Sequence, residues 1–361
     1  MFQLIREWLD RHFSDPQILI LSFLLIGGFI FIFFLGNMLL PVFASIVIAY
    51  LLDGVVARLQ FFRVPRFACV SIVFFLFMAV LLIAIIGLLP MLSRQVGQLL
   101  QQLPSMVAAG QKELMGLPER YPDFISEVQI KQILHFIGTE FTGFARRMLS
   151  LSVASVRSVV LVLVYLILVP LMVFFLLKDK LKILEWLTGI LPDDRGLAIK
   201  VWREVNNQIG NYVRGKIWEI LIIWTVSYVT FKVLGMQFSM LISLFVGLSV
   251  LVPYIGVTVM FLPVALISYF QWGLEPQFAY ALIAYTIIQL LDGNLLAPLL
   301  LSGVVHLDPV AIIVAVLLFG GLWGIWGLFF AIPLATLVHA LIKTWLNRQS
   351  LENHPEENGA G

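Results

Sequence analysis

Residues 233–274 contain no Asp, Glu, Lys or Arg, a run of 42 residues. Seven further predominantly apolar stretches share this property: 16–52, 67–93, 158–177, 220–231, 276–291, 293–307 and 309–342. The eight together hold 203 of the 361 residues. Crossing a hydrocarbon core of about 30 Å takes roughly 20 apolar residues in a helix. A water-facing globule of ordinary composition carries about 25% charged residues, whereas this chain carries 12%. The expected fold is therefore all-α, a polytopic helical membrane protein whose first partner is the lipid bilayer. With a net charge of +2 and scattered bases, the sequence has no nucleic-acid footprint. One cysteine, Cys69, excludes an intrachain disulfide and a Cys-based zinc site. No cofactor is implied.

The 37-residue run 16–52 would measure about 55 Å as one helix, so a turn is expected at Gly36-Asn37 and Pro41, giving helices near 18–35 and 39–57. A third span is expected over about 67–90, ending near Pro90, and a fourth over 152–177. Between them, Val96, Leu99, Leu100, Leu103 and Val107 recur at helical spacing, as do Ile130, Ile133, Leu134 and Ile137. Breaks are expected at Pro104, Pro118 and Pro122. The chain thus divides into 1–90 (an amphipathic lead-in and three spans), 91–150 (a small helical segment outside the bilayer), 151–215 (the fourth span and cytoplasmic amphipathic helices), 216–343 (a C-terminal membrane bundle) and 344–361 (a polar tail).

Arg6, Arg11, Arg58, Arg63, Arg66, Lys178, Lys180 and Lys182 flank the spans on one side. By the positive-inside rule that side is the cytoplasm, with both termini there and the chain in the cytoplasmic (inner) membrane. The segment 178–216 includes an amphipathic face of Val201, Trp202, Val205, Ile209 and Tyr212, as for a helix lying on the membrane.

The C-terminal bundle contains five apolar pieces: about 216–235, 239–252, 254–271, 278–300 and 310–342. An odd number of crossings disagrees with a cytoplasmic tail, so either one piece fails to cross or the tail faces out. Residues 239–252 are too short to span, and 310–342 carries Gly320, Gly321, Gly324 and Gly327 at its centre, which invites a broken helix or a hairpin. Glycines at helical spacing also serve close helix packing. Residues 246–266 and 316–336 share a pattern at an offset of 70: apolar, then a Gly/Pro/aromatic break, then apolar with Pro263 or Pro333. Interrupted segments in corresponding positions are the form that transporter binding sites take.

Asp292 stands between apolar runs of 16 and 15 residues. A carboxylate at bilayer depth costs about 2.5–3.5 kcal/mol on insertion scales, a cost relieved by a polar cavity, a proton or a cation. Gln289 lies one turn away on the same face, and Asn294 follows within the same motif. Gly293 and Pro298 are candidate backbone breaks beside them. The alternative makes Gly293-Asn294 an interfacial turn with Asp292 as a helix cap among headgroups. Pro253 and Gly256 interrupt the long run around Tyr254, either as a re-entrant tip offering the Tyr254 hydroxyl to a solute or as a tight turn in an aromatic belt. His306 and Asp308 fall on a loop before Pro309. No histidine has partners at metal-ligand spacing, and the arrangements needed for intramembrane proteolysis are missing.

Several blocks resemble the autoinducer-2 exporter family of permeases: Val169 to Asp179, Tyr212-Val213-Arg214-Gly215-Lys216, Val252-Pro253-Tyr254-Ile255-Gly256, Gln289 to Pro298, and Gly320 to Pro333. Arg11 to Pro16 and the Asp-Gly-Asn triplet are most similar to the PerM-type permeases within it. The resemblance implies about eight spans, an extracytoplasmic helical segment after the third, a homo-oligomer, and a permease exporting a small solute or exchanging Na+ and H+. The substrate-binding or ion-binding candidates are Asp292, Gln289, Asn294 and Tyr254, with Pro253, Gly256, Gly293 and Pro298 as helix breaks lining the pathway. No catalytic residue is expected. A non-transporting scaffold whose 91–150 segment binds a partner, and a passive channel, are the alternatives.

Overall fold

The computed structural model describes residues 39–116, 156–189, 196–301 and 308–353, with five isolated positions (27, 118, 128, 130 and 132). The helix expected near 18–35, the amphipathic lead-in, most of 117–155, His306 and the tail from 354 lie outside the described residues. Among the described residues every regular element is helical, as an all-α membrane protein requires.

Helix α1 (Leu40–Gln60) starts with Pro41 in its first turn, where a missing N–H costs nothing. Helix α2 (Arg66–Ile83) does not end near Pro90. A π-helical turn, Ala84–Leu88, joins it to α3 (Leu89–Met115), so one helical unit of 50 residues runs through Pro90. The π turn already replaces the i→i−4 ladder at this point, with the Leu89 N–H bonded to the Ala84 carbonyl, so the proline finds a place inside the helix. Pro104 likewise lies within α3 rather than breaking it.

Helix α4 (Val156–Lys178) turns by 77° into α5 (Lys180–Gly189). Asp53 of α1 accepts from Lys180 Nζ at 2.7 Å and from Arg66 Nη2 at 3.5 Å. Arg66 also donates to the Leu177 carbonyl at 3.1 Å, so this clasp gathers the ends of α1, α2, α4 and α5. Beneath it Val56, Cys69, Val70, Val73, Val173 and Leu177 form an apolar core.

Helix α6 (Gly196–Val233) runs 38 residues without interruption, joining the amphipathic segment directly to the apolar piece that begins at 216. It is followed by α7 (Ser239–Ser249), α8 (Ile255–Trp272), α9 (Pro276–Leu291), a π-helical turn (Asp292–Leu296), α10 (Ala297–Leu301) and α11 (Pro309–Asn353). Four described helical units are long and apolar enough to cross a membrane, or five if the bent α4–α5 pair is one span.

Two helical hairpins shape this half. Tyr254 takes φ 63°, ψ −49° between α7 and α8, and Gly324 takes φ 60°, ψ −135° inside α11. The arms pack closely: a Cβ on Gly256 would collide with the carbonyl oxygen of Ser249, and one on Gly327 with that of Phe319. Each hairpin pairs a short arm (α7, 11 residues, or 310–324) with a longer one containing a proline, Pro263 or Pro333. The positive-φ residues and the prolines both fall 70 apart, so the internal likeness read from sequence corresponds to a repeated backbone form. A broken helix was expected within 310–342, and the break is at Gly324.

Helix α3 packs on this bundle rather than standing apart from it. Leu92, Leu99 and Met106 pack against the core formed by α6, α7, α8 and α9, and Gln95 Oε1 accepts from the Leu241 N–H in the first turn of α7 at 2.9 Å.

Candidate functional site: a buried charge cluster on α6 and the π turn

Helix α6 carries a continuous buried face: Tyr212, Lys216, Glu219, Ile223, Ser227 and Phe231. The intervals of three and four residues place all six on one side. This face is polar at its first half. Lys216 Nζ sits 3.0 and 3.1 Å from the two oxygens of Glu219, and their side chains are only 4% and 2% exposed. Charged side chains this deeply buried are expensive unless paired.

Small residues allow neighbouring helices to close on this face. A Cβ at Gly215 would stand 2.6 Å from the Leu300 carbonyl oxygen of α10, and one at Gly247 of α7 would stand 2.8 Å from Trp224 Cβ. The Tyr212 ring meets Phe329 of the second hairpin edge-on at 6.3 Å. Leu251 and Val252 from the first hairpin's tip share the same apolar cluster with Tyr212, Phe319 and Phe329. Lys216 is therefore one turn from the place where α6 and both hairpins meet.

Asp292 comes to this cluster from the other side. It opens the π turn, whose closing bond runs from the Ala297 N–H to the Asp292 carbonyl. Insertions of this kind recur at functional sites. Asp292 lies 16 residues into a 26-residue helical unit, about 24 Å along it, so the helix does not end there and Asp292 is not a cap. It is 5% exposed, and its Oδ1 makes no hydrogen bond to any described residue. The charges of Glu219 and Lys216 both act on it. Gln289, 8% exposed, has both side-chain amide atoms buried with no hydrogen-bond partner among the described residues. The Tyr212 hydroxyl, also without a hydrogen-bond partner among the described residues, feels the charge of Glu219.

The structure thus brings Asp292 and Gln289 together and adds Lys216 and Glu219, which the sequence reading did not single out as site residues. The remaining candidates lie apart from this cluster. Asn294 is exposed, with its amide donating to the Leu290 carbonyl at 2.9 Å. Tyr254 is 58% exposed at its hairpin apex, beside half-buried Pro253 and buried Gly256. Gly293 and Pro298 do not break the helix. Both are exposed, and the π turn carries the chain through them as one unit. Asp308 is exposed. Among the described residues no group of three or more His, Cys, Asp or Glu is placed to hold a metal ion.

Comparison with known proteins decides the family. The pattern of the AI-2E family transporters matches residues 19–347. The chain belongs to the AI-2E transporter family. It is 41% identical over 349 residues to the protein named "Putative permease PerM" of Escherichia coli (strain K12), covering 97% of this chain and 99% of that one. It is 24% identical to the "Putative transport protein YueF" of Bacillus subtilis (strain 168), over 86% of this chain and 85% of the other. A "Putative transport protein" of Thermotoga maritima is 26% identical over 88% of this chain and 93% of its own. The resemblance read from the motifs holds across nearly the whole length. As a member of this family the chain is a multi-pass membrane transporter and not an enzyme.

Proposed function

We propose that the chain is a secondary transporter of the cytoplasmic membrane, exporting a small solute or exchanging Na+ and H+ through its C-terminal half, with Asp292 as the carboxylate that responds to the coupling ion. The observation that carries this reading is a carboxylate with an unpaired buried oxygen, 16 residues into a membrane-length helix and beside a buried ion pair. Such a group is costly at bilayer depth unless something polar or charged reaches it. The two hairpins support the same reading, since broken helices survive in a membrane where they are buried or line a cavity. No nucleotide-binding motif accompanies them in the sequence, so an ion gradient or the solute's own gradient supplies the energy. Both termini face the cytoplasm and the functional form is a homo-oligomer.

The test is flux into proteoliposomes, screened across candidate solutes and cations, for the wild type and Asp292→Asn. The substitution should abolish gradient-coupled flux while leaving assembly intact. Unchanged flux and unchanged pH dependence would remove Asp292 from the mechanism.

A further inference from the structure

The charges around Asp292 do not balance. One ammonium, Lys216, is paired with Glu219, and the charges of both act on a second carboxylate, Asp292, so the cluster carries one excess negative charge when all three are ionised. All three are nearly inaccessible. No other described element packed around them supplies compensation. Helices α7, α8, α9 and α10 contain no acid or base, nor does 309–336 of α11. Arg214 of α6 lies over the Tyr50 ring of α1 at 5.2 Å. Asp53 of α1 is already paired with Lys180 and Arg66. Of the nearby hydroxyls, Tyr285 donates to the Val257 carbonyl at 2.6 Å, and Tyr212 is neutral when protonated. Beside the excess charge stand two polar side chains more than nine-tenths buried and without a hydrogen-bond partner among the described residues, Gln289 and Asp292.

We propose that Lys216, Glu219 and Asp292 form one proton-accepting unit in which the two carboxylates share a single tethered cation. This deepens the assignment of Asp292 as the coupling carboxylate and rests on it for its role in transport. With the ammonium seated on Glu219, a proton from water bonds to the Asp292 carboxylate and the unit is neutral. When that proton leaves, the excess charge is spread over both carboxylates and the ammonium is drawn between them. Glu219 and Lys216 are positioning residues: they set whether Asp292 holds its proton.

Infrared spectroscopy of the purified full-length protein tests this without measuring transport, through the carbonyl stretch of a buried protonated carboxyl. The wild type should gain one such band on passing from alkaline to acidic buffer. Asp292→Asn should lack it, because Lys216 and Glu219 are then a neutral pair. Glu219→Gln should also lose it, although Asp292 is present, because Lys216 is freed to pair with Asp292. Lys216→Met should keep the band in alkaline buffer where the wild type has lost it. A Glu219→Gln band identical to the wild type in size and pH dependence would overturn the shared cation. If Lys216→Met fails to fold, the Glu219→Gln comparison still decides, with thermal unfolding confirming its fold. Bands that behave as expected while Asp292→Asn transports normally would leave the unit standing and refute the transport role. Lost flux in Asp292→Asn with an unaltered Glu219→Gln band would do the reverse.

Discussion

Gly215 and Leu300 approach so closely that a Cβ on Gly215 would stand 2.6 Å from the Leu300 carbonyl oxygen. This contact sets the distance between α6 and α10, and with it the position of Lys216 relative to the π turn. A backbone oxygen cannot rotate away, so Gly215→Ala must shift a helix. The expected cost is about 1–3 kcal/mol, as for overpacking elsewhere, seen as a lower unfolding temperature in detergent. Gly293→Ala is the contrast, since no atom of the described residues lies within 4 Å of a Cβ there. Its stability should stay within about 0.5 kcal/mol of the wild type. A larger loss at Gly293 than at Gly215 would contradict this packing.

The hairpin apex at Gly324 has φ 60°, ψ −135°, a region open to glycine alone. Gly324→Ala should cost about 1–3 kcal/mol, whereas Gly321→Ala, with open space around its Cβ, should be tolerated. Unfolding of the two variants in matched detergent separates the outcomes. Equal stability would mean that the backbone break is not at Gly324.

How much of this was legible beforehand follows from the kind of signal each residue leaves. Asp292 is visible because an acid between two apolar runs is either a costly charge at bilayer depth or an interfacial cap, and both readings single it out. The two hairpins were visible at Tyr254 and Gly324 because Pro and Gly interrupt charge-free runs. Lys216 and Glu219 were hidden. They stand at the start of an apolar piece and next to a basic segment, where charges usually mark the end of a span. What reveals them is periodicity carried across that border: Tyr212, Lys216, Glu219, Ile223, Ser227 and Phe231 fall on one face only if the helix continues through 215 and 216. The run through Pro90 was illegible for another reason. A π turn has no sequence signature, so a proline that it accommodates looks like a stop. The same device deceives at Gly293 and Pro298.

The Asp53 clasp joins four helix ends, yet its members are 22–42% exposed. Pairs of that kind contribute about 0–1 kcal/mol each. Asp53→Asn should therefore lower the unfolding temperature only slightly and weaken further in importance at high salt. A collapse of the fold in Asp53→Asn would show that the clasp is a structural keystone instead.

Gln95 reaches from α3 to the first turn of α7, where the Leu241 N–H has no carbonyl of its own helix to serve it. Gln95→Ala leaves that donor without its side-chain acceptor and should cost about 1–3 kcal/mol. Gln95→Glu keeps an acceptor and should recover part of the loss. Hydrogen exchange at the Leu241 amide reads the effect directly: faster exchange in Gln95→Ala is expected, and unchanged exchange would refute the cap.

Water or a solute should reach the common face of α9 and the π turn that carries Gln289 and Asp292. Replacing Cys69 by Ser and Gln289 by Cys places a single thiol on that face. A small membrane-impermeant thiol reagent applied to proteoliposomes should modify it, as it modifies a Glu275→Cys control on the exposed α8–α9 turn. Modification at 289 is expected. A Gln289→Cys thiol that stays unreactive from both sides of the membrane, in folded protein whose Glu275→Cys control reacts fully, would contradict it.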